Sequence, residues 1–88
     1  MQRIAGFIWD DWVLDRLDWK HGVDPQEVEE AFFNPPYKVR TGEGKYLLYA
    51  RSNGGRYLFI AFVWEGQFVK VITARGMTTA EKRFYGRK

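Results

Sequence analysis

Residues 46–64 read YLLYARSNGGRYLFIAFVW, and this stretch decides the fold. Ser52-Asn53-Gly54-Gly55 is a hairpin signal between two strand-like runs, Tyr46 to Arg51 and Arg56 to Trp64. The second run is almost continuously apolar, which predicts a central strand covered on both faces. Downstream, Glu65-Gly66 turns the chain and Gln67 to Arg75 forms the next strand. Upstream, Gly42 to Gly44 is a turn, and Tyr37 to Arg40 has the length of a short edge strand. Such short turns join antiparallel neighbours.

The first 36 residues have helical grammar instead. Ile4 to Ile8 is a short apolar start that reads as a strand. Asp10 or Asp11 can cap the helix that follows, and Trp9, Trp12, Val13 and Leu17 share one face by spacing. Lys20-His21-Gly22 ends it, with glycine free to adopt the left-handed closing conformation. A second helix opens with Asp24 as N-cap, Pro25 next and Glu27 closing a capping box, while Val23 and Val28 form a hydrophobic staple. Val28, Ala31 and Phe32 give its buried stripe, and Asn34-Pro35-Pro36 stops it. Thr78 and Glu81 box a last helix with Ala80 and Phe84 on one face. The expected class is α+β, a two-layer domain over residues 1–88. Its order is β-α-α-β-β-β-α, with one more edge strand if 37–40 pairs, and an antiparallel sheet covered by helices.

Composition narrows the chemistry. The chain has 88 residues, no cysteine, one histidine and sixteen aromatic side chains (four Trp, five Tyr, seven Phe). Without cysteine there is no disulfide framework, thiolate catalysis or cysteine-held zinc, which fits a cytoplasmic setting. The N-terminus turns acidic too early for a signal peptide, and no apolar stretch approaches the length of a membrane span. The net charge of +3 hides a division. Residues 1–36 hold three Lys/Arg against eight Asp/Glu; residues 37–88 hold eleven against three. A basic half of this kind suits a polyanion, although clustered solvated charge accounts for it equally well.

Several segments, in order, resemble the BrnT toxins of type II toxin–antitoxin systems. They are Trp9-Asp10, Lys20-His21-Gly22-Val23, Glu27 to Pro35, Tyr49-Ala50-Arg51, Gly55 to Phe59, Val71 to Arg75, and Thr78 to Tyr85 with its Glu81-Lys82-Arg83-Phe84-Tyr85 run. The resemblance covers nearly the whole chain. It implies a fold similar to the RelE/ParE toxins, metal-independent cleavage of RNA that arrests growth, and no cofactor or metal. It also implies neutralisation by a BrnA-type ribbon-helix-helix antitoxin, and leaves open a homodimer or a toxin–antitoxin hetero-oligomer.

Metal-free cleavage needs a base for the 2′-hydroxyl, cations for the charged phosphorane and an acid for the leaving oxygen. His21 is the side chain whose ordinary pKa suits proton transfer near neutrality, and Lys20 beside it can hold a phosphate. Lys-His-Gly is also ordinary helix termination. Arg51 and Arg75 each close a strand, and guanidinium forks grip phosphate; solvated terminal arginines are the plain alternative. Tyr85 can stack on a base or donate a proton, or simply pack its ring. Lys45, Arg56, Lys82 and Arg83 complete an expected RNA-binding set. Tyr46, Tyr49 and Tyr57 interleave with these cations, as single-stranded RNA readers do, although sheet packing explains most such rings. The rival readings are a non-catalytic nucleic-acid-binding module and a protein-interaction module on the same fold.

Overall fold

The structure, a computed structural model, describes residues 3–87, and for Lys20 and His21 the backbone alone. Strand β1 (Gly6–Ile8) leads into helix α1 (Asp11–Arg16), which widens into a π-helical segment (Leu17–His21). Helix α2 (Pro25–Ala31) follows, then β2 (Lys38–Gly42), β3 (Lys45–Arg51), β4 (Tyr57–Glu65), β5 (Phe68–Gly76) and helix α3 (Thr79–Gly86). The strands form one sheet in the order β1-β5-β4-β3-β2.

The run that reads as a central strand is β4, flanked by β3 and β5. Residues 37–40 do belong to an edge strand, β2, which closes on β3 through Glu43 and Gly44, both at positive φ. That two-residue loop matches the twist of the strands it joins. β2 to β5 are antiparallel throughout. β1 is the exception and lies parallel to β5, pairing Gly6 with Phe68 and Ile8 with Lys70. No hairpin joins these two, so the long intervening chain permits parallel pairing.

One sheet face carries the core. Val13, Leu17, Val28, Ala31 and Phe32 of the helical layer pack on Leu48, Ala50, Leu58, Ile60, Phe62, Val69, Val71 and Ala74. Phe62 lies at the centre, with Phe32 edge-on at 5.0 Å and Tyr46 stacked at 5.5 Å. Truncating it to alanine should cost about 3–5 kcal/mol. A register shift between Ala61 and Phe62 leaves Ile72 unpaired between Val71 and Thr73. This bulge changes which parity of β5 faces the helices, from Val69 and Val71 to Ala74. Arg75 is thereby turned to the opposite face.

Both capping boxes form as expected, at Asp24/Glu27 and Thr78/Glu81, and the staple residues Val23 and Val28 are buried. Gly22 adopts the left-handed conformation, φ 60°. Three expectations are corrected. Asp10 stands at the N-cap of α1 but its carboxylate makes no cap bond; it lies 3.6 Å from the Lys70 ammonium instead. Trp12 does not join the buried face of Val13 and Leu17: it is 53% exposed. Its spacing is compatible with that stripe, but the six-residue α1 buries only Val13, with Leu17 just beyond it. Ala80 is exposed, because α3 covers only one end of the second sheet face and touches it chiefly through Phe84 and Tyr85.

Candidate functional site

The second sheet face is basic and only partly covered. At the end where β3 stops and β4 starts, Arg51 faces Tyr57 across the ladder. The Arg51 guanidinium lies 4.7 Å from the Tyr57 ring centroid, and its Nε–H donates to the Gly55 carbonyl at 3.4 Å. Gly55 has φ 88°, and a Cβ there would come within 3.0 Å of the Arg51 Nη2. Glycine is therefore what lets the arginine fold over its own hairpin. From α3, the Lys82 ammonium lies 5.3 Å from the same Tyr57 ring, and Tyr85 meets it edge-on at 5.9 Å. Cations over ring faces gain from the π quadrupole and stay presented to solvent.

The Tyr85 hydroxyl donates to the Pro36 carbonyl at 2.7 Å. Burial, as the largest influence, pushes this phenol above its ordinary range; nearby Arg51 pulls the other way. Tyr85 is therefore protonated at neutral pH. Beside it, Asn34, Pro36, Arg51, Asn53 and Gly55 line a groove of about 270 Å³. The Asn34 amide donates to the Asn53 side-chain oxygen at 2.7 Å and to the Arg51 carbonyl at 3.2 Å. The Asn53 N–H donates to Glu30 at 3.1 Å. These bonds fix the hairpin to the end of α2.

Arg75 shares the face but not the point. It pairs with Phe59, two residues along β4 from Tyr57, so its backbone stands about 12 Å from that of Arg51 by ordinary strand spacing. Its guanidinium lies 4.3 Å from the Phe59 ring centroid and grips Glu81 through two parallel bonds of 2.7 and 2.8 Å. The Arg75 hydrogen bond holds the Glu81 carboxyl below its usual value, against the opposing effect of burial.

The other expected residues spread out. Lys45 begins β3, six residues from Arg51 and so about 20 Å away along the strand. Arg56 turns toward the helices, where its Nη1 donates to the Gly22 carbonyl at 2.9 Å and meets Glu27 at 3.3 Å. Arg83 is exposed on α3. The side chains of Lys20 and His21 lie outside the described residues. Their backbone closes the π-helical segment next to Gly22, and the Arg56 bond to Gly22 places that helix end at the same hairpin that carries Arg51.

Residues 9–81 match the family described as "Ribonuclease toxin, BrnT, of type II toxin-antitoxin system". The chain belongs to this family. Among solved structures it is similar to the ribonuclease toxin BrnT of Brucella abortus, with a TM-score of 0.68 and 23% identity over 84% of this chain and 97% of that one. At that identity the likeness shows the fold. No curated protein matches the chain.

Within this BrnT-family fold, the ordered cluster is Arg51, Tyr57, Lys82 and Tyr85, with Asn34 and Asn53 beside it. The sequence offers Tyr57 as one of three tyrosines set among cations, but Asn34 and Asn53 only as helix-stop and turn residues. Tyr57 had a signal: it stands opposite Arg51 in any tight hairpin closed by Ser52 to Arg56. Lys38 and Arg40 of β2 had less. Their positive ends lie 4.8 and 5.2 Å from the Phe84 ring centroid, a contact between segments far apart in sequence. Lys38 also donates to the carbonyls of Phe84 and Arg87, satisfying the end of α3. Of the three interleaved tyrosines, Tyr46 and Tyr49 serve packing, stacking on Phe62 and meeting Phe59 and Phe84 edge-on.

Proposed function

We propose that this chain is a metal-independent endoribonuclease whose reaction centre lies at the Arg51–Tyr57–Lys82–Tyr85 cluster. The observation that carries the reading is the convergence of two cations and a protonated phenol around one aromatic ring on the open basic face. Arg51 and Lys82 bind the scissile phosphate and stabilise the charge that grows on its oxygens. The 2′-oxygen attacks phosphorus as its proton is taken up. His21 is the candidate acceptor, standing on the helix end that Arg56 ties to this hairpin. Lys20 adds a phosphate contact there. Tyr85 exchanges the Pro36 carbonyl for the leaving oxygen as acceptor of its proton. Arg75 holds α3 in place through Glu81, and so positions Lys82 and Tyr85. Lys45, Arg56 and Arg83 contribute at most to the surrounding field. The lining of the groove is guanidinium, amide and phenol, a donor set suited to an oxyanion rather than to a divalent cation. In the cell, a BrnA-type ribbon-helix-helix antitoxin restrains the activity in the cytoplasm.

The test is cleavage of a defined RNA by purified protein in EDTA. The expected products carry 2′,3′-cyclic phosphate and 5′-hydroxyl ends, and His21→Ala and Arg51→Ala lose them. Intact RNA, in a buffer where a known ribonuclease cuts, sinks the activity. Cleavage that EDTA abolishes sinks the metal-free mechanism.

A further inference from the structure

The exposed side of the first helix around Trp12 and Trp19 has no role in the reading above. Val13 and Leu17 turn inward and are buried. On the other side Trp12 is 53% exposed and Trp19 84% exposed. With Asp15, Arg16 and Asp18 they line a shallow cavity of about 560 Å³. Trp12, Asp15 and Arg16 follow the i, i+3, i+4 spacing of one helix face, and Trp19 joins them at the cavity from the π-helical segment. Asp11, Asp15 and Asp18 make an acidic stripe along its flank. Two solvent-exposed indoles on so short a segment serve neither the core nor solubility.

We propose that this face docks a cationic, amphipathic segment of a protein partner, one that mixes Lys or Arg with apolar side chains. Indole faces accept both a cation and an aliphatic side chain, and the three aspartates, against the single cation Arg16, select for positive charge. The same aspartates repel a nucleic acid. A second copy of this chain fits less well. Its basic surface is the open sheet face, where the rings already carry that copy's own Arg51, Arg75 and Lys82. The partner therefore docks on the helical layer and leaves the opposite sheet face uncovered. The proposal rests on the family's having a protein partner and not on the cleavage reading.

The experiment titrates the full chain with two synthetic amphipathic peptides that share their leucines and differ only in carrying Lys or Glu. Fluorescence of a label on the peptide reports binding. The Lys peptide is expected to saturate at least tenfold more tightly than the Glu peptide. Trp12→Ser with Trp19→Ser should weaken it at least tenfold, and Asp15→Lys with Asp18→Lys should reverse the preference. Melting curves check that each variant is folded; should the tryptophan pair unfold, the charge reversal decides alone. Equal binding of both peptides, or no effect of charge reversal, overturns the proposal. So does displacement of the peptide by single-stranded RNA. A concentration-dependent dimer that the tryptophan substitutions abolish would replace it with self-association. RNA cleavage, assayed on the same samples, stands or falls separately.

Discussion

Arg51 and Arg75 are held by different partners, and that difference separates their expected phenotypes. Arg51 lies exposed over Tyr57, bonded to a neutral carbonyl, so little of the fold depends on it. Arg51→Ala should leave the melting temperature within a few degrees and lower RNA cleavage by about 10²–10³-fold, the usual loss when a transition-state donor goes. Arg75 is bound at both nitrogens to Glu81 and is half-buried. Discounted for its exposure, the pair is worth about 1 kcal/mol. Arg75→Ala should therefore lower the melting temperature by about 4–8 °C. Any loss of cleavage should follow from the altered seat of α3. Thermal melts beside initial cleavage rates check both. An arginine closing a strand is visible in the sequence. Which one is neutralised is not, because the answer depends on a bulge at Ile72 that sends Arg75 to the face where Glu81 waits.

Helix α3 is secured by one carboxylate acting twice. Glu81 accepts from the Thr78 N–H at 2.9 Å and from Arg75. Thr78→Ala keeps that N–H but removes the hydroxyl that accepts from the Glu81 N–H at 3.2 Å, and should destabilise by about 1 kcal/mol. Combined with Arg75→Ala, the two effects should fall short of their sum, since both act through Glu81; a double-mutant cycle by urea unfolding measures the coupling. The pH dependence follows from the sign of the shift. Glu81's folded pKa is depressed, so its contribution is fully present above the ordinary glutamate value of 4.5. It is lost as pH falls through the lower, folded value. Wild type should lose stability relative to Glu81→Gln only below about pH 4.5, and the two curves should run parallel above it. At this scale the sequence was most legible. Both capping boxes, the left-handed Gly22 and the β3–β4 hairpin follow from local rules. The π-helical widening does not, because nothing local distinguishes Leu17–His21 from an ordinary last turn. Nor does the exposure of Trp12, whose spacing alone fits the buried stripe.

Across the whole molecule, the charge division becomes a division of faces. The acidic residues of the first half gather on the helical layer, where Asp24 and Glu27 cap α2 and Asp11, Asp15 and Asp18 stand in solvent. Most basic residues of the second half gather on the open sheet face and α3, with Arg56 turned to the helices. RNA affinity should then fall with salt. Removing Arg51 and Lys82 together should flatten the slope of log K against log salt by about 1.4 for a single strand. A filter-binding series with an uncleavable RNA checks this. Replacing Asp15 and Asp18 by asparagine should leave that slope unchanged. The sequence reported both signs of charge but not their separation across a sheet, which needs the tertiary placement of α1 and α2 on one side and α3 on the other.

The parallel seat of β1 on β5 has a temporal meaning. During synthesis the first strand emerges early and has nothing to pair with until residues 68–76 follow it. Closing that distant contact is slow compared with zipping the hairpins of β2 to β5. The nascent chain therefore carries its helices and its central hairpins well before its sheet is complete. The ring under Arg51 is in place early, but Lys82 and Tyr85 reach it last. If the cluster proposed above is the reaction centre, that centre is complete only once α3 has been made.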